Sequence, residues 1–104
     1  MNRMTKIRTK EEIETEIKKG EEFTARHLTS MFGDDNTKEL ILFKEIMNMF
    51  LSGKSMYDIE DFVKNIGGNQ FYVDDPDDED SRMHWENIAD DYLNWLKGNE
   101  ENVW

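Results

Sequence analysis

Within residues 40–51 stand Leu40, Ile41, Leu42, Phe43, Ile46, Met47, Met49, Phe50 and Leu51, and this near-continuous apolar run constrains the fold more than any other stretch of the chain. It lies between two helix punctuation marks. Asn36 followed by Glu39 makes a capping-box pattern, and Gly53 offers a stop. A helix over 37–51 carries apolar side chains on nearly every side, so it must be covered on most of its surface. It is expected as the centre of the fold or as an oligomer interface.

The flanking segments read as shorter helices around it. Thr9 and Glu12 form another capping box, Ile13 and Ile17 recur four apart, and Gly20 offers a stop, which predicts a helix over 10–19. Thr24 as a cap, Leu28, Met31 and Phe32 as an inner face and Gly33 as an end predict another over 25–32, with Phe23-Thr24 as a strand edge the alternative. Ser55 caps a segment in which Met56, Ile59, Phe62, Val63 and Ile66 follow helical spacing up to Gly67-Gly68. Phe71, Tyr72 and Val73 make 69–73 β-prone, as one short strand or an extended connection. Ser81 is expected to cap a last helix over 82–97, with Trp85, Ile88, Ala89, Tyr92, Leu93 and Leu96 inward and Gly98 beyond its end. The expected fold class is therefore mainly α, a compact bundle of about four to five helices with at most one short β element at 69–73. A chain of 104 residues fits a single domain, with 1–8 as a flexible basic arm and 99–104 as a flexible tail. Aromatic residues at 12% are too many for a disordered acidic chain, so it is expected to fold.

Charge is distributed unevenly over this framework. Residues 1–64 carry 11 Lys/Arg against 13 Asp/Glu, whereas 65–104 carry 2 against 11, which leaves −9 of the net −11 in the last 40 positions. The densest part is Asp74, Asp75, Asp77, Asp78, Glu79 and Asp80, interrupted only by Pro76. Such asymmetry points to an electrostatic partner rather than to chemistry. No Cys is present, which removes disulfides, thiolate metal sites and a cysteine nucleophile and agrees with a cytoplasmic location. No apolar run is long enough for a membrane span or a signal peptide, so neither is expected.

Motifs with chemistry do not survive inspection of their spacing. Asp75, Asp77, Glu79 and Glu86 fall on positions 1, 3, 5 and 12 of a calcium-loop register, but Asp80 stands where the sharp turn needs Gly, and Arg82 where an apolar residue belongs. Gly53-Lys54-Ser55 resembles the end of a phosphate loop, yet Asn48 occupies the place of its first glycine. His27 and His84 are far apart, without a ligand spacing. A helix-turn-helix around Leu51 to Ser55 would offer DNA the acids Asp58, Glu60 and Asp61 against Lys64 alone, and the only basic cluster is Arg3, Lys6, Arg8 and Lys10. No metal, cofactor, enzymatic activity or direct contact with nucleic acid is expected.

The inverse relation to nucleic acid fits better. Carboxylates held on a folded scaffold imitate phosphates and occupy a basic cleft, and here Glu86, Asp90 and Asp91 on the last helix follow directly on the Asp74–Asp80 loop, with Tyr72 and Trp95 near in sequence as desolvated anchors. In its length, its Lys/Asn/Glu/Asp-rich, alanine-poor composition and its acidic second half, the chain resembles the small acidic inhibitors that bacteriophages and mobile elements direct at host nucleases, the anti-CRISPR and antirestriction proteins. That resemblance is one of kind, without a shared motif. It implies an inhibitor whose partner is a basic nucleic-acid-binding protein such as a host nuclease. The competing expectation is a structural or adaptor protein, dimeric through Leu42, Met49 and Phe50, whose acidity serves solubility.

Overall fold

Glu12 N–H donates to Thr9 Oγ1 at 3.2 Å and Thr9 N–H to Glu12 Oε1 at 3.0 Å in the computed structural model, so the first capping box forms and α1 (Lys10–His27) begins where expected. The structure describes residues 7–27, 33–99 and 103–104, with the backbone alone at 27 and 33–36. The Thr9 N–H, and after it the Arg8 guanidinium 3.2 Å away, hold the Glu12 carboxyl below its usual range.

Helix α1 does not stop at Gly20. A Cβ there would lie 2.6 Å from Trp104 Cε2 and 2.9 Å from Leu40 Cδ1, so the missing side chain is a packing requirement and not a terminator. Thr24, expected as the cap of a separate helix, is therefore a buried residue inside α1. Of that expected helix, residues 28–32 lie outside the described residues. In an open helix, replacing Gly by Ala gains about 1 kcal/mol. Gly20→Ala is expected instead to lose about 1–3 kcal/mol through overpacking against the indole, and a thermal melt reads the sign directly.

Helix α2 (Gly33–Leu51) starts upstream of residue 37, which makes Gly33 its first residue rather than the end of a preceding helix, and places Asn36 within the helix instead of at its cap. Its end is as expected. Gly53 takes a φ of 97° that an L side chain resists, Gly53 N–H donates to Phe50 O at 3.1 Å and Lys54 N–H to Met49 O at 2.9 Å, so both carbonyls at the helix end gain a backbone donor, and Ser52 Oγ donates to Met49 O as well, at 3.0 Å. Gly98 ends α4 in the same way, with φ 87°.

Ser55 Oγ accepts from Asp58 N–H at 3.1 Å and starts α3 (Met56–Lys64), which turns at Asn65 into a short 3-10 segment, Ile66–Gly68. Residues 69–73 are a turn, correcting the strand alternative: Tyr72 and Val73 N–H both donate to Asn69 O, at 3.1 and 2.8 Å. There is no strand among the described residues. Helix α4 (Glu79–Leu96) is capped by Asp78, whose Oδ1 accepts from Asp80 N–H at 3.2 Å, and not by Ser81, which lies inside it. Asp78 prevails because it places Glu79 and Asp80 in the first turn, against the positive end of the helix dipole.

The described elements are thus helical, as expected, and they converge on Phe43. Its ring meets Tyr92 edge-on at 5.1 Å, Trp95 at 5.5 Å and Trp104 at 6.0 Å, while Leu42, Ile46 and Met47 fill the rest of the inner side of α2. The expectation of a helix covered nearly all round holds for that side only. Ile41 and Leu51 are exposed, and Met49 and Phe50 half-buried. Because Leu42 is fully buried, the dimer contact expected through Leu42, Met49 and Phe50 loses its first member to the core.

Both expected flexible ends are docked where they are described. Arg8 N–H donates to Leu96 O and Arg8 Nε to Trp95 O, each at 2.9 Å, with its guanidinium 4.8 Å from the Trp95 ring centroid; a cation thereby meets the negative end of α4, whose own last turn has none. Glu16, 3% exposed, accepts from Val103 N–H at 2.7 Å and seats Trp104 against Phe23 and Phe43. The radius of gyration is 14.0 Å, near the roughly 13 Å of a compact domain of this length.

Candidate functional site

The acidic run is exposed, yet its backbone is fixed. At its base Tyr72 and Val73 are buried, and at its far end the chain enters α4, so the seven positions from Asp74 to Asp80 are held from both sides. Two of its carboxylates fasten the loop itself: Asp75 Oδ1 accepts from Asp77 N–H at 3.1 Å, Asp78 caps α4, and Asp78 N–H closes the turn onto Asp75 O at 3.0 Å. Asp74 pairs with Lys38 Nζ at 3.4 Å across from α2. No ion pair links Asp75, Asp77, Asp78, Glu79 or Asp80 to a described residue, so their charge faces solvent.

Not every residue expected on this surface belongs to it. Asp90 and Asp91 are exposed on α4, about 16 Å further along the helix axis than Asp80, and of the two Asp91 shares the face of Asp80. Exposed Met83, His84 and Asn87 separate the two acidic groups. Glu86, one turn before Asp90, is half-buried against the 3-10 segment, where a Cβ on Gly67 would lie 2.5 Å from its Oε2, and not open to solvent like Asp90 and Asp91. Tyr72 and Trp95 are 5% and 2% exposed, so both are core side chains, which corrects their expected role as anchors for a partner. The reason is local: the Asn69 turn directs Tyr72 inward against Trp85 at 5.6 Å, and Trp95 lies on the face of α4 that meets Phe43.

Two buried phenols lie nearby. Burial, and then the Glu45 carboxylate, push the Tyr72 hydroxyl up to about 12, and burial followed by Glu39 and Asp91 raises Tyr92 still further. Glu45 is not singled out by the sequence, and Ile41, Phe62 and Phe71, which the sequence marks only as members of apolar or β-prone runs, line with it a groove between α2 and the 69–73 turn. A signal for Phe71 existed. It adjoins Tyr72 in a turn, and two adjacent rings there do not both reach the core.

The loop carboxylates are arranged along a turn rather than converging, and among the described residues no group of three or more His, Asp or Glu side chains is placed to hold a metal ion. Calcium titrated calorimetrically is expected to bind more weakly than about 10 μM, because the register lacks its glycine turn and Asp75 and Asp78 already accept backbone hydrogen bonds. Among the described residues no helix is long and apolar enough to cross a membrane. Comparison with protein-family models, with curated proteins and with solved structures finds no match to this chain. Fold and surface together define a class by structure alone: a helical bundle presenting an ordered carboxylate surface.

Proposed function

We propose that the protein is a protein-binding inhibitor, of the anti-CRISPR or antirestriction kind, whose acidic surface occupies the basic nucleic-acid cleft of an enzyme. The observation that carries this reading is the fixing of an exposed acidic run by its own carboxylates, Asp75 and Asp78, between a buried base and a capped helix. A solubilising tail needs no such order. A phosphate mimic does, because entropy lost on binding has then been met in folding. Six carboxylates from Asp74 to Asp80 match in number the phosphates of roughly 10 Å of duplex axis, at one charge per about 1.7 Å. The adaptor reading draws less support, since Leu42 is in the core.

Competition tests the proposal. A partner captured on the immobilised protein at low salt is expected to be basic, to be displaced by duplex DNA or guide RNA, and to be released as salt rises. Retention of the partner under saturating DNA, RNA and high salt together would place its binding away from the acidic surface.

A further inference from the structure

Beside the acidic loop lies an apolar groove of about 300 Å³, lined by Ile41 and Glu45 of α2, Phe62 of α3, and Asn69, Phe71 and Tyr72. Ile41 is 39% and Phe71 55% exposed, which costs the free protein solvation that a buried placement would avoid. Phe71 is held in that position. Its N–H donates to Asn69 Oδ1 at 3.0 Å, the next two N–H groups donate to Asn69 O, and its ring stands edge-on to Tyr72 at 4.8 Å. An exposed aromatic on a fixed turn presents large contact area at small entropic cost.

The rim decides what kind of group fits. Glu45 lies at the groove, Asp74 beside Lys38 follows one residue after buried Val73, and the remainder of the acidic run begins at Asp75. A second copy of this chain is a poor occupant, because pairing two molecules of net charge −11 face to face brings like charges together. Resting on the reading that the acidic surface binds a protein, we infer that the groove takes one apolar side chain, of leucine to phenylalanine size, from a basic segment of that partner, whose flanking Lys or Arg meet Glu45 and the Asp74–Asp80 run. The apolar side chain supplies the anchor and the carboxylates supply orientation and capture rate.

Two synthetic peptides of equal charge test this on the unmodified protein: acetyl-Gly-Lys-Lys-Leu-Phe-Lys-Lys-Gly-amide, and the same peptide with Ser-Ser in place of Leu-Phe. Titrations followed by NMR are expected to show the first binding at least about tenfold tighter, with shifts centred on Ile41, Phe62 and Phe71. Phe71→Ser, which retains the backbone hydrogen bonds of the turn, is expected to abolish that difference, and Glu45→Lys to weaken both peptides. Equal affinity for the two peptides, or an undiminished difference in Phe71→Ser, would overturn the groove assignment, as would self-association of the protein through these residues. Failure of this inference is separable from failure of the functional reading. A captured partner that DNA displaces but Phe71→Ser still binds fully refutes the groove alone, whereas peptide discrimination with a partner that DNA does not displace refutes the nucleic-acid mimicry alone.

Discussion

Phe43→Ala is expected to lose about 3–5 kcal/mol of folding stability, the range for removing a large ring from a packed core. Phe43 is fully buried and lies against three rings, Tyr92, Trp95 and Trp104, that come from two separate parts of the chain. Its loss leaves a cavity whose walls are stiff aromatic planes, which relax poorly. Small domains have only about 5–15 kcal/mol in total, so a large fraction of the stability goes with one side chain. Ile41→Ala provides the contrast: it is on the same helix, but it is 39% exposed and touches the groove rather than the core. Its cost is expected to stay below about 1.5 kcal/mol. Denaturant unfolding of the two variants side by side checks both values, and equal midpoints would mean that α2 does not have the inner and outer sides described.

Helices were legible where local chemistry and packing agree. Ser55, with Ile59 and Val63 behind it, is such a case, since cap and buried stripe mark the same segment. The first helix was legible at its start and not at its end, because Gly20 reads locally as a terminator and only the indole of Trp104, 84 positions away, turns it into a contact surface. At α4 two acceptable caps stood three residues apart, and the choice of Asp78 over Ser81 followed from the acids it places in the first turn. The acidic loop was evident from composition, whereas its order was not: that comes from hydrogen bonds of Asp75 and Asp78 to backbone two residues on. Tyr72 and Trp95 neighbour acids in sequence and so read as outward anchors, although the helical phase of Trp95 and the turn at Asn69 direct both inward. Proximity in sequence does not fix direction.

The order of the loop also determines how its function is tested. Reversing Asp78 would remove the cap of α4, and reversing Asp75 would open the turn, so the informative substitutions are Asp77→Lys, Glu79→Lys, Asp90→Lys and Asp91→Lys, all at exposed positions. The matching control is Glu11→Lys, Glu14→Lys and Glu22→Lys on α1, which spares Glu16 because that buried carboxylate holds Val103 and Trp104. Both variants are expected to fold, with losses of at most about 1 kcal/mol for each charge reversed near a helix start. The direct measurement is the affinity of the captured partner for the protein and the two variants, at low and at physiological salt. The account predicts a loss of roughly a hundredfold in the loop and α4 variant at low salt, most of it in the association rate, and little change in the control. Unchanged affinity in the first variant, or an equal loss in the second, would contradict the assignment of the acidic surface as the binding site.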